Sequence, residues 1–136
     1  MGRVEVHALN HHGTKDAANA FFLSVLQPRV HIASVYASNH PGPDVMRRML
    51  STQVYPGPRD IFLTNGIWPG RRMNMVALFG EKETAWLETQ IGAVAGVQGH
   101  VVVRVAPGGA TYEVYRLSDH DDRPVILSIH GTYHSR

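Results

Sequence analysis

The chain contains no cysteine. That absence excludes disulfides, thiolate nucleophiles and cysteine-ligated zinc, and it leaves the redox compartment open. Any bound metal must therefore be held by His, Asp or Glu. Charge of one sign is also scarce. The formal net charge is +2 over 136 residues, with a sequence pI near 9.2. No run of five like charges occurs, and the basic residues are scattered rather than gathered into the stripe that a dedicated nucleic-acid binder shows. No apolar run approaches the ~20 residues needed to cross a membrane. MGRVEVHALN lacks a charged segment followed by an apolar stretch, so it is not a signal peptide. Repeats, low-complexity tracts and a dividing linker are absent as well. What remains is an ordinary folded composition, 43% hydrophobic and 18% charged, with nine histidines.

The local patterns read as an α/β chain. Val4 to Leu9 predicts a strand, HHGTK a turn, and Asp16 to Gln27 a helix with Ala18, Phe22, Val25 and Leu26 on one face, capped by Thr14 or Asp16. Arg29 to Val35 predicts the next strand. SNHPGPD leads into a helix over Asp44 to Ser51 with Asp44 as its N-cap, and Asp60 to Thr64 predicts a third strand. Residues 66–98 hold a helical pattern over Lys82 to Ile91 but weak periodicity afterwards, and are expected to be a variable insertion or lid within a single domain of residues 1–136. HVVVRVAP and TYEVYRL predict a hairpin, with PVILSIHG following the turn SDHDDR. A strand–turn–helix–strand order is the mark of a layered α/β fold.

Two adjacent histidines, His11 and His12, stand where the first strand must turn. Read from the residues alone, they fit an exposed turn pair and a metal ligand equally well. Gly13 lets the backbone turn sharply and approach a substrate closely. A helix beginning near Asp16 would aim its free N–H groups at the same place and favour an anion, with the Thr14 hydroxyl as a further donor. Side chains that alternate along an extended strand would keep His11 and His12 from sharing one metal. His40, before Pro41, fits a turn role and a place near the cleft equally well. His7 and His31 read as satisfied sheet histidines. His100, His120, His130 and His134 read as surface or structural, and the Arg47–Arg48 pair as a solvated face. Asp119, Asp121 and Asp122 fall in a turn where Asp is common. No catalytic carboxylate pair, phosphate loop or nucleophile elbow is present.

The succession "NHHGT", "LQPRVHIASV", "SNHPGPDVMRRML", "DIFLTNG" resembles the carboxyl-terminal half of metallo-β-lactamase-fold hydrolases, nearest to the ComEC-like hydrolase domain of DNA-uptake proteins. The resemblance covers residues 3–65 in order and spacing and extends more loosely to "GHVVVRVAPGGATYEVYRL". It implies the carboxyl-terminal half of an αββα sandwich: a mixed sheet, helices on the outer face and a closing β-hairpin. It also implies a site for two divalent metals, zinc or manganese, whose bound water attacks a phosphoester. One of His11 and His12 would be the last metal ligand, His11 preferred because related hydrolases place two residues between a strand-end His and a Ser or Thr, the spacing of His11 to Thr14. The other would support it, with Gly13, Thr14 and His40 near the substrate. The H-x-H-x-D-H motif that supplies most ligands in the family is missing from this chain. The expectation is therefore an incomplete domain, inactive and without a complete metal site by itself, whose amino-terminal half lies elsewhere. The abrupt entry of the chain into a core strand after Met1 fits that expectation. The alternative is a non-enzymatic α/β module that binds nucleic acid or a protein, or one half of a two-chain hydrolase. Substrate, metal identity and localisation are not legible in these residues.

Overall fold

Short apolar runs, each ended by a polar turn, become the parallel strands β1 (Val6–Ala8), β2 (Val30–Ala33) and β3 (Asp60–Leu63), joined at the edge by β4 (Gly96–Val97). The computed structural model describes residues 2–120 and 122–136; Met1 and the predicted turn residue Asp121 lie outside it. The chain divides into two compact units, Met1–Val97 and Gln98–Arg136.

In the first unit the sheet order is β1-β2-β3-β4, every pair parallel. Parallel neighbours need crossover connections. These are the helices α1 (Ala20–Leu26), α2 (Pro43–Leu50), and the pair α3 (Pro69–Phe79) and α4 (Glu81–Ala93). Residues 66–98, expected as a variable insertion, thus include two helices and an edge strand. Met75, Leu87 and Ile91 from these helices are buried in the same core as Leu23, Met46, Met49, Ile61 and Leu63. Two predicted helix starts are corrected. The first helix begins at Ala20, where Asn19 accepts a hydrogen bond from the Phe21 N–H at 2.9 Å. The second begins at Pro43 after Gly42, which leaves Asp44 in the first turn rather than at the cap. Proline suits that first position because its missing N–H would have had no helical partner.

The second unit is an antiparallel meander of β5 (His100–Val105), β6 (Thr111–Leu117) and β7 (Ile126–His134). APGGA turns the first hairpin, with Gly108 and Gly109 at φ 82° and 74°. Tyr112 and Tyr133, paired across β6 and β7, stack at 4.9 Å. The strands therefore form two sheets, where one mixed sheet was expected. The backbone gives the reason: Gln98 and Gly99, at φ 70° and 91°, end the extended run between β4 and β5. The α/β class holds. Among the described residues no helix is long and apolar enough to cross a membrane.

The register of β1 on β2 sets His7 beside His31, and their rings meet, Nδ1 to Nδ1, at 3.2 Å. A hydrogen-bonded chain then fixes every proton. The Tyr55 hydroxyl donates to the Pro28 carbonyl at 2.9 Å, so the 2.8 Å contact between His31 Nε2 and that hydroxyl requires the imidazole to donate. His31 Nδ1 is then the acceptor and His7 Nδ1 the donor. Arg59 secures the far end: its guanidinium lies 3.7 Å from the Tyr55 ring centre and donates to the carbonyls of Met49, Ser51, Tyr55 and Gly57.

Burial, then the charges of His7 and Arg59, push the His31 imidazole down to about 3, and burial lowers His7 as well. Both rings are neutral in the folded state at pH 7. A lowered folded pKa means that the unfolded chain takes up protons first as the solution is acidified. The stability these rings contribute is therefore complete above pH 6.5 and is lost as pH falls towards 3. Denaturant unfolding should show a loss of about 2 kcal/mol between pH 7 and 5 attributable to His31, largely abolished in His31→Leu. An equal slope in that variant would show that the loss arises elsewhere.

Candidate functional site

The end of β1 does not run on as an extended strand. Leu9 N–H still donates to the Ile32 carbonyl at 2.8 Å, and then the chain turns sharply through Asn10–Gly13, with His11 and His12 outside right-handed helical geometry. His11, His12 and Gly13 all have positive φ, at 46°, 55° and 84°. For the two histidines that conformation costs of order 1 kcal/mol or more each, so the surroundings must hold it. The expectation of alternating side chains at this point is corrected: the pair sits on a left-handed turn.

The hold comes from the loop after β2. Gly13 is buried, and a Cβ there would come 3.1 Å from both Leu9 Cδ2 and Pro41 Cβ. Its carbonyl accepts the Gly42 N–H at 3.0 Å. This junction lays the His12 ring on the His40 ring, stacked at 5.0 Å and 14°, with Tyr36 edge-on to both at 4.7 Å. His12 Nδ1 lies 2.9 Å from the Ser34 carbonyl, so it carries the hydrogen and leaves Nε2 without one in the neutral ring. His40 is buried and its Nδ1 accepts the Ala37 N–H at 3.3 Å. Burial, then the charges of His12, Arg71 and His11, hold the His40 imidazole below its ordinary value.

A third loop is tied in by Arg71 of α3. This side chain is fully buried, with no carboxylate partner among the described residues. It donates to the carbonyls of Gly66 and His40, joining the loops after β3 and β2, and burial brings its pKa down to about 10. Val35 N–H, donating to Thr64 Oγ1 at 2.8 Å, joins the same two loops. The loops at the carboxyl ends of three adjacent parallel strands thus meet.

His11 points a different way. Its Nδ1 is 3.3 Å from Asp16, whose other close partner is the Thr14 hydroxyl, donating at 2.6 Å. Those hydrogen bonds, Thr14 first, lower the Asp16 carboxyl. His11, Thr14 and Asp16 line a cleft of about 740 Å³ completed by Gly42, Asp44 and Arg47 of the α2 entrance and by Leu78, Phe79 and Glu83. Gly13, His12 and His40 are not among its lining residues. The expected anion cradle at a helix starting near Asp16 is corrected, because residues 14–18 form a turn ahead of α1. Arg48 fastens that turn to α2 by donating to the carbonyls of Lys15, Ala17 and Ala18 at 2.7, 2.8 and 3.0 Å. Arg47 pairs with Asp44 and Glu83 and covers Trp86.

No family model, no curated protein and no solved structure matches this chain.

Among the described residues no group of three or more His, Asp or Glu side chains could hold a metal ion. The sequence reading picked out His11, His12, Gly13, Thr14 and His40, and all five lie at this corner. It missed Tyr36 and Arg71. Tyr36 carried a signal, an aromatic just past a strand end. Arg71 carried none, since a helical arginine reads as solvated until its carbonyl partners are seen.

Two substitutions test the junctions. Gly13→Ala adds a Cβ at positive φ against the Pro41 ring and should cost about 1–3 kcal/mol in denaturant unfolding; a loss below about 0.5 kcal/mol would show that the contact is slack. Arg71→Leu strands two carbonyls and should cost about 2–4 kcal/mol, whereas an unchanged midpoint would mean that solvent satisfies them.

Proposed function

We propose that this chain carries one imidazole corner of a metal-dependent hydrolase site of the metallo-β-lactamase type, acting on a phosphoester, with the remaining ligands supplied by polypeptide outside it. The observation that carries the proposal is the anchoring of His12. A metal-ligating imidazole generally donates its other ring N–H to a carbonyl or carboxylate, which fixes ring and tautomer. His12 donates to the Ser34 carbonyl and leaves Nε2 for a ligand bond. His11 has a longer contact to Asp16, and its side chain is 65% exposed. The preference between the two therefore passes to His12, with His11 assigned to the cleft.

The donor chemistry fits a single metal ligand and does not fit a complete centre, since zinc sites use three or four protein ligands. A bound metal would supply an activated water; this chain supplies the orientation around it. Arg71 places an unpaired buried cation under the His40 carbonyl, and Tyr36 offers an exposed phenol beside His12. Both favour an anionic group at this corner.

Calorimetric titration with zinc tests the reading, using the whole chain and variants whose folding is checked by circular dichroism. Weak binding, lost in His12→Ala and largely retained in His11→Ala, is expected, with no hydrolysis of bis(p-nitrophenyl) phosphate by the chain alone. Hydrolysis should appear when a polypeptide bearing H-x-H-x-D-H is added. Zinc binding indifferent to His12, or duplex DNA binding that falls steeply with salt and needs no metal, would favour the non-enzymatic reading instead.

A further inference from the structure

The His7–His31–Tyr55 chain has an open end. His7 Nδ1 spends its hydrogen on His31, so the neutral ring presents a bare Nε2 as an acceptor. The side chain is about nine-tenths buried, with a relative exposure of 9%, yet its ring borders a surface cleft of about 330 Å³. That volume lies within the range of small-molecule sites. The cleft is distinct from the one beside His11, and Asp16 stands between the two.

Three features of its wall are fixed by the fold. In the neutral ring His7 Nε2 is an acceptor, and it cannot exchange roles with Nδ1 without breaking the buried chain. Asn19 uses its Oδ1 to cap α1, which leaves its amide hydrogens as donors. Phe22 provides an aromatic face: it is 40% exposed, and its ring centre is 5.1 Å from that of His7. Ala8 and Ala18 complete the apolar part of the lining. An acceptor and a donor of set polarity beside an aromatic plate match a flat heterocycle with a donor next to an acceptor on its edge.

We propose that this cleft is a subsite for a nucleobase, presented either by a free nucleotide or by single-stranded nucleic acid. Stacking on an aromatic side chain together with hydrogen bonds to a base edge is the general mode by which unpaired bases are held. The assignment does not depend on metal binding at His12, and its test involves no metal.

The test is a nitrogen-15 titration of the full chain with adenosine and, separately, with a short oligo(dA). Before ligand, His7 Nε2 should resonate as an unprotonated ring nitrogen. Adenosine should then shift that nitrogen and the Asn19 side-chain amide. N6,N6-Dimethyladenosine, which keeps the ring and loses the donor, should bind at least about tenfold more weakly. Phe22→Ala should weaken both ligands. Asn19→Asp, which keeps the helix cap and removes the donor, should weaken adenosine without unfolding the chain. Tighter binding of the oligonucleotide than of adenosine identifies nucleic acid as the source, and equal binding identifies the nucleotide. A proton found on His7 Nε2, or no shift at His7 with either ligand, overturns the proposal.

Discussion

One close approach organises the carboxyl-end corner of the parallel sheet: Gly13 against Pro41, sealed by the hydrogen bond from Gly42 to the Gly13 carbonyl. It forces the loops after β1 and β2 to cross at contact distance, where a Cβ at positive φ would press on Leu9 and Pro41 and glycine is favoured. The left-handed turn through His11 and His12 follows from it, because the backbone must coil to deliver Gly13 to that point. The stacked imidazoles of His12 and His40 follow in turn. A strained turn persists only where packing over-determines it, and here Pro41, Leu9 and the Ser34 carbonyl do so together.

The charges are arranged with equal economy. Among the described residues Arg71 is buried without a carboxylate and its Nε has no partner, while its two terminal nitrogens donate to backbone carbonyls, one from each loop it joins. The histidines nearest the sheet are neutral, and their protons run in one direction, from His7 through His31 and Tyr55 to Pro28. A neutral relay of this kind costs less to bury than an ion pair, because no charge is desolvated. It also leaves an acceptor at the surface whose polarity is set from within.

Much of this was legible in the residues. Strand–turn–helix order gave the layered α/β class, whereas the expected mixed sheet is a parallel sheet in one unit and an antiparallel sheet in the other. The histidine pair, the glycine and His40 were grouped through the family resemblance, and they share a corner because Gly13 packs on Pro41. The details that failed were those set by tertiary contact. Asn19 displaced Asp16 as the cap because Arg48 holds residues 15–18 out of the helix through their carbonyls. Residues 66–98 looked irregular because α3 and α4 bury only a few side chains each, Arg71 and Met75 from one and Thr84, Leu87 and Ile91 from the other. The break between the two sheets depends on the backbone angles of Gln98 and Gly99, which a pattern of side chains does not record.

His12 is the imidazole proposed as a metal ligand. Anomalous scattering at the zinc edge, measured on crystals of the chain grown with zinc, tests it directly. A peak at bonding distance from His12 Nε2, with Nδ1 still on the Ser34 carbonyl, is the predicted result. Zinc found on His11 or on the histidines of the second unit, with His12 bare, would contradict it.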